Sequence, residues 1–305
     1  MGIGGHHFLA AATILHRFYD SPTVGLVETS VQGYSSTTYI ATFANGNSVV
    51  LQFRPSDRAI DVEFFKIARK QIGDFAPSTR LLTNHEDSLL VYELSRIPGI
   101  SFGRLCNVPN FVQLLPTVAE GLGILLGKCC MENSSCRTDK KWVTSVIEDL
   151  KKSAQIPLLV SFKDDFTAML ERVQSGALDD LPLSISNGDM NPTNLMVTEQ
   201  GVVSGLVDWE MMDIWPLGFD LGAIHWIMGS GFGEKYSLYE NAEEIEKRFW
   251  VAFMSSVPRY VADNLVGLQF AMKVGTVINL VDLNMPRLRA DLDYTIPWSE
   301  AGFSR

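Results

Sequence analysis

Alternating apolar and polar positions dominate the first hundred residues of this chain, and apolar spacings of three and four dominate the rest. The start is an exception: residues 8–19 form an amphipathic pattern that Ser21-Pro22 breaks, which predicts a short helix. Residues 24–31, 38–43 and 48–53 are rich in β-branched and aromatic side chains, and Asn45-Gly46 between the last two is a hairpin turn signal. A three-stranded antiparallel meander is expected there. Ser56 or Asp57 is placed to cap a helix running through Val62, Phe65 and Ile67 to about Gln71, with Gly73 ending it. Strands near 79–82 and 89–93 complete a five-stranded sheet with one helix, and Pro98-Gly99 reads as a hinge. Beyond it the stretches 111–131, 140–153, 162–175, 240–256 and 259–283 carry helical periodicity. The expected class is therefore α+β, with a small antiparallel-sheet lobe over 1–97 and a larger, mostly helical lobe over 98–305. The last dozen residues read as a tail.

One compact β-rich insertion interrupts the helical region. It runs Ile185-Ser186-Asn187-Gly188-Asp189-Met190-Asn191-Pro192-Thr193-Asn194-Leu195-Met196-Val197, turns at Glu199-Gln200-Gly201, and returns to Asp208-Trp209-Glu210. Asp189 and Asn194 have the D-x-x-x-x-N spacing of a kinase catalytic loop, which puts a base and a metal ligand on one tight turn. A regular hairpin centred on Gly201 sets Asn194 opposite Asp208, with Cβ atoms about 5 Å apart. Two oxygen donors at that separation suit Mg²⁺, which takes one or two protein oxygens and fills its shell with water and phosphate. Asp189 is then placed to accept a hydrogen bond from an acceptor hydroxyl or amine. An acidic residue ending the apolar run Leu206-Val207-Asp208 is costly unless something binds it.

Composition narrows the class further. The 305 residues are 46% hydrophobic and 20% charged, as in a globular protein with a sizeable core. A net charge of −10 argues against a nucleic-acid partner. Residues 1–105 are balanced in charge, and the acidic excess lies beyond them; a solubilising surface and a pocket for a cationic substrate both fit this. Cys106, Cys129, Cys130 and Cys136 lack the spacing of a disulfide framework or zinc site and read as reduced thiols of a cytoplasmic protein. Neither a secretory signal nor an apolar run of about 20 residues is expected to place the chain in a membrane. Gly2 lacks the Ser or Thr four positions on that a myristoylation site favours, since His6 stands there. The sequence leaves the oligomeric state open.

At the insertion the chain resembles the aminoglycoside phosphotransferase and choline kinase superfamily, whose pattern is a His-Gly-Asp loop, an Asn five residues on, and a strand ending in Asp-Trp/Phe-Glu. The resemblance spans 24–230 and is strongest over 185–225. It implies a bilobal protein-kinase-like fold that uses ATP or GTP with magnesium to phosphorylate a small molecule. By the same resemblance Asp189 is the catalytic base, Asn194 and Asp208 hold the metal, and Asp220 of Gly218-Phe219-Asp220-Leu221 supports the catalytic loop. Gly33, Ser35, Ser36 and Thr37 would cover the phosphates, Glu63 would orient a phosphate-binding cation, and Tyr92, Glu93 and Leu94 would form the adenine-side strand. Glu210, Asp213 and Trp226 are candidates for contact with the acceptor, with Glu240, Asp282 and Trp298 suggested by location.

Two positions depart from the family pattern. Gln52 stands where a phosphate-binding Lys or Arg is usual; Arg54, two residues on and on the same strand face, is the candidate replacement and would pair with Glu63. Asn187 stands where the His before Gly-Asp is usual, as a supporting residue. These departures keep two alternatives open: a catalytically weak or inactive kinase-like binding protein, and a kinase fold reused for another reaction. Three further patterns read as structural. Gly123 to Lys128 is one residue short of a phosphate-binding loop and reads as a core helix, Gly229 to Gly233 as a loop, and His225 as a packed core histidine. His6-His7 is too isolated for a metal site.

Overall fold

The computed structural model describes residues 4–29, 36–85, 89–231, 236–279, 285–299 and 301–304. The chain divides into two compact units, Met1–Ile97 and Pro98–Arg305.

The first unit contains α1 (Gly4–Phe18), β1 (Thr23–Glu28), β2 (Thr37–Phe43), β3 (Ser48–Pro55), α2 (Val62–Ile72), β4 (Thr79–His85) and β5 (Leu89–Ser95). The strands form an antiparallel sheet in the order β1-β2-β3-β5-β4. Period-two alternation explains its core: Tyr39, Ala41 and Phe43 of β2 point inward with Leu51 and Phe53 of β3, and Ala11, Ile14 and Leu15 of α1 close over them. The residue that caps α2 is Asp61, whose side chain accepts from Glu63 N at 2.9 Å; it is neither Ser56 nor Asp57. β3 runs on to Pro55, a 3₁₀ turn takes Ser56–Arg58, and Ile60 N donates to the Tyr92 hydroxyl at 3.1 Å, so the helix cannot begin earlier. Gly73 ends it as expected, with φ +61.

The second unit opens with β6 (Ile100–Ser101), α3 (Phe102–Leu105), α4 (Phe111–Lys128), α5 (Lys141–Ser153) and α6 (Lys163–Gln174). The insertion follows as β7 (Leu183–Ser186), β8 (Leu195–Val197), β9 (Val203–Leu206) and β10 (Asp213–Pro216). Then come α7 (Ile224–Met228), β11 (Gly229–Ser230), β12 (Ser237–Leu238), α8 (Ala242–Ser256), α9 (Arg259–Ala262), α10 (Leu265–Ile278), α11 (Met285–Asp293), β13 (Trp298–Ser299) and β14 (Gly302–Phe303). Helices α4 and α8 form its most extensive packing. Their closeness has a cause in sequence: a Cβ on Gly123 would sit 2.5 Å from Phe249 O, and one on Gly127 2.5 Å from Ser256 Cβ. The glycines that imitate a phosphate loop therefore serve helix packing. Alone, α4 is long and apolar enough to cross a membrane (18 residues, mean hydropathy 1.2), but here half of it is buried in the unit.

Two expectations for this unit need correction. The stretch 259–283 is not one helix, because Asn264 interrupts it and caps α10, its Oδ1 accepting from Gly267 N at 3.1 Å. Nor are the final residues a loose tail. Tyr294 and Ile296 are buried, Gln269 Nε2 donates to Tyr294 O at 2.8 Å and Gln269 Oε1 accepts from Ile296 N at 2.6 Å, and β13 pairs with β14. The four cysteines are free, with Cys106 exposed and the other three buried.

Candidate active site

Strand β7 delivers the loop that carries Asp189. All four of its residues are buried, and it pairs antiparallel with β10 in the register Ser186↔Asp213. The chain must then turn hard against the segment that follows Asp208. Gly188 meets that demand with φ +74, and a Cβ there would lie 2.0 Å from Met211 O, so no other residue fits undistorted.

Asn187 ties this loop to the end of β9. It is 1% exposed, and its Nδ2 donates to Val207 O at 3.2 Å and to Asp208 O at 2.8 Å. Asp208 has φ +61, a left-handed conformation that costs a non-glycine residue about 1 kcal/mol or more. The two bonds from Asn187 grip the carbonyls at this strained position and hold it. An amide thus supports the loop at the position where the family pattern has a histidine.

Asp189 itself is held by Asn194, whose Nδ2 donates to Asp189 O and to Asp189 Oδ2, both at 2.9 Å. With the amide nitrogen spent on Asp189, the Asn194 carbonyl oxygen remains for another partner. Within the loop Asn191 accepts from Thr193 N at 2.8 Å and donates to Asp189 O at 3.1 Å, while Gly103 N donates to Pro192 O at 2.7 Å. Below the loop Ser186 Oγ donates to Asp220 Oδ1 at 2.9 Å and accepts from Gly188 N at 3.2 Å. Burial pushes the Asp220 carboxyl up to about 6, against the lowering pull of the Ser186 hydroxyl and the Asn187 backbone N–H. Asp220 therefore braces the loop from beneath.

The hairpin register differs from the sequence expectation by one residue. The turn sets Val197 opposite Val203, centred on Gln200, and a bulge between Met196 and Val197 restores one step, so that Leu195 pairs with Leu206 and Val207 N donates to Asn194 O at 3.0 Å. Asn194 is thus level with Val207, and Asp208 lies one step beyond. In a straight strand one step would send the side chain to the opposite face; the left-handed turn at Asp208 instead ends the strand and redirects the chain. Among the described residues no three His, Cys, Asp or Glu side chains cluster as a metal site.

Other candidates fall as follows. Asp213, in β10, is exposed and accepts from its neighbour Ile214 N; Glu210 is half-buried; Glu240 is exposed and Trp298 half-buried. Trp226 is half-buried and lines a cavity of about 440 Å³ that Met190, Asn191 and Pro192 also line. In the first unit, Gly33 and Ser35 lie outside the described residues, as does Asp282 in the second. Thr37 opens β2, and Ser36 Oγ is 3.5 Å from Thr38 Oγ1. Gln52 is half-buried in β3, level with Tyr92 of β5. Arg54 is buried and donates from Nη1 to Arg58 O at 3.2 Å, whereas Glu63 is exposed and pairs with Lys66 at 2.6 Å, so the expected Arg54–Glu63 pair is not formed. Tyr92 and Leu94 are buried, and Glu93 between them binds Arg80 at 2.6 Å and the Tyr19 hydroxyl. That contact and burial push the Tyr19 phenol well above its usual range, burial being the larger cause.

Sequence reading missed the cavity's polar wall. His225 is buried as expected, but its Nδ1 lies 2.7 Å from Asp291 Oδ1, equally buried, and both residues face the cavity. Nothing local to either residue signals the pairing, which only the packing of α7 on α11 produces.

The model of the phosphotransferase enzyme family matches residues 28–245 of the chain. Among solved structures, a macrolide 2'-phosphotransferase from Brachybacterium faecium is 14% identical with a TM-score of 0.56, covering 97% of this chain and 99% of that one. A putative aminoglycoside phosphotransferase from Ralstonia eutropha is 15% identical with a TM-score of 0.55 and 93% of both chains covered. An ethanolamine kinase from Plasmodium vivax is 11% identical with a TM-score of 0.54, covering 93% of this chain and 87% of that one. No curated protein matches. These likenesses show a kinase-like fold, a small antiparallel-sheet unit followed by a helical one, and the matched residues, which hold Asn187, Asp189, Asn194, Asp208 and Asp220, show that this chain belongs to the phosphotransferase enzyme family.

Proposed function

We propose that this phosphotransferase moves the terminal phosphate of ATP or GTP onto a hydroxyl or amine of a small molecule, with Asp189 as the group that orients the acceptor. The observation that carries this reading is the double hydrogen bond from Asn194 Nδ2 to Asp189, which fixes the carboxylate's position while leaving the Asn194 carbonyl oxygen for a cation. Asn194 and Asp208 are the residues that would hold Mg²⁺, since an amide oxygen and a carboxylate are the hard donors it prefers. Bound there with nucleotide, the ion would neutralise charge on the phosphate oxygens. The protein's own part is positional. Asn187 holds Asp208 in its left-handed turn, Gly188 lets the loop approach that turn, and Asp220 and Ser186 brace the loop beneath. Asp189, so held, accepts a hydrogen bond from the acceptor's O–H or N–H and aligns it for in-line attack. A macrolide 2'-phosphotransferase and an ethanolamine kinase among the structural neighbours fit an acceptor of the small-molecule class.

The test is ADP or GDP formation against a panel of small alcohols and amines, comparing wild type with Asp189→Ala. Acceptor-dependent turnover lost in the variant supports the reading, and equal turnover in both overturns it. A second reading, a binding protein with weak or no turnover, is favoured by one observation: neither Gln52 nor the buried, Arg58-bonded Arg54 offers an evident phosphate-binding cation on β3. Nucleotide binding by calorimetry without turnover on any acceptor would select it.

A further inference from the structure

The cavity beside the loop is lined within the second unit by Phe102, Phe219, Trp226, Tyr236 and Tyr239, with Met190 and Leu288 adding apolar surface. At about 440 Å³ it falls within the ~300–1,000 Å³ of small-molecule sites. Its charge is the informative feature. Among the described lining residues there is no Lys, Arg or Glu, and the two aspartates are already engaged. Asp220 accepts from Ser186 and, at 3.4 Å, from Asn279 Nδ2, and Asp291 lies against His225. A polycationic amino sugar would lose its water here and find no uncommitted carboxylate in return, a large net cost.

Beyond these engaged groups, two polar atoms of the lining residues lack hydrogen-bond partners. His225 Nε2 is buried with no hydrogen-bond partner, its residue 3% exposed, and Thr276 Oγ1 on α10 is likewise buried and unpartnered. Buried polar groups left unmatched are costly, so two among the residues lining one cavity mark positions that a ligand's hydrogen-bonding group would satisfy. From the aromatic lining, the committed carboxylates and these two orphaned atoms, we infer that the acceptor is an uncharged, largely apolar alcohol whose ring or alkyl body lies in this cavity and whose second polar group, distinct from the hydroxyl that Asp189 orients, bonds His225 Nε2 and Thr276 Oγ1. This deepens the phosphotransferase reading and rests on it for the word acceptor. It also chooses between the two meanings of the acidic excess, assigning that excess to the outer surface and not to the pocket.

Cys106 supplies a reporter that needs no turnover. It is the exposed cysteine and lines the cavity, whereas Cys129, Cys130 and Cys136 are buried. Alkylation of Cys106 in the full chain would be timed by mass spectrometry with indole-3-ethanol, with 4-(4-hydroxyphenyl)-1-butanol, and with the polycation kanamycin. At ten times its Kd a competing alcohol should slow labelling roughly tenfold. Thr276→Val, which keeps the shape and removes the hydroxyl, should weaken that protection by roughly tenfold in concentration, the scale of one lost hydrogen bond. Protection by the alcohols that Thr276→Val weakens supports the inference. Absence of protection by both alcohols, whatever kanamycin does, overturns it, and so does protection that Thr276→Val leaves unchanged. A parallel ADP assay separates the two claims: protection without phosphoryl transfer sinks only the kinase reading, and turnover of kanamycin without protection by alcohols sinks only the pocket reading.

Discussion

Replacing Asn187 by Ala should damage turnover much more than stability. The wild-type side chain donates to Val207 O and Asp208 O, and a buried bond of this kind is worth about 1 kcal/mol net, so the two together contribute about 2 kcal/mol. Against this, the same side chain buries Oδ1 with no partner, and its removal returns about 1 kcal/mol. The net loss is then about 1–2 kcal/mol, or a fall of about 2–8 °C in the melting temperature of a unit this size. The local effect is larger in kind. Asp208 keeps its left-handed φ against a strain of about 1 kcal/mol, and without the two bonds the residue relaxes toward ordinary backbone and withdraws its carboxylate from the site. Turnover should drop by roughly tenfold or more, the rate equivalent of about 1.4 kcal/mol misplaced at the transition state. Asn187→His, which restores an N–H donor of the kind the family pattern carries there, should recover a large part of it. Differential scanning fluorimetry and steady-state ADP formation measure the two halves. Wild-type turnover in Asn187→Ala, or a stability loss with no kinetic change, would refute the assignment of Asn187 as the residue that positions Asp208.

Three more outcomes follow from the geometry. The raised Asp220 carboxyl contributes stability that is fully present below its ordinary value of 3.8 and is lost as pH rises through about 6, a span worth about 3 kcal/mol. The stability of wild type relative to Asp220→Asn should fall by about 2 kcal/mol or more between pH 4 and 7 in denaturant titrations, and a flat difference would contradict it. Gly123→Val, with its Cβ forced to 2.5 Å from Phe249 O, should cost at least about 3 kcal/mol or abolish soluble folding through the α4–α8 contact, read as a denaturation midpoint. Asp61→Ala should cost about 1 kcal/mol and speed hydrogen exchange in the first turn of α2, since it removes the side-chain cap on Glu63 N.

The five strands of the first unit and the long helices α4, α5, α6 and α8 of the second were legible because local patterns decided them. Asn45-Gly46 joins β2 to β3 as the turn chemistry requires, and Gly73 ends α2 because only a glycine takes that backbone cheaply. The loop residues were legible for the same reason, their spacing being a local property of one turn. What failed was set by tertiary contact or by a single inserted residue. The turn is centred on Gln200 and not on Gly201, which alone would set Asn194 opposite Leu206, and the Met196/Val197 bulge restores one step to Val207; neither shift is visible in a count along the sequence. Arg54 shares a strand face with Gln52 as expected, but its head is taken by Arg58 O before it reaches Glu63. His225 and Asp291 meet only when α7 and α11 pack, a contact with no trace in either segment.

The central claim is that Asn194 and Asp208 together hold a divalent cation beside Asp189 when nucleotide is bound. Electron paramagnetic resonance with Mn²⁺ and ADP on the full chain tests it directly. Wild type should bind one nucleotide-dependent Mn²⁺, and Asn194→Ala and Asp208→Ala should each weaken that binding by roughly 10–100-fold, the usual cost of losing a group at a metal site. Undiminished nucleotide-dependent Mn²⁺ binding in either variant would contradict the account.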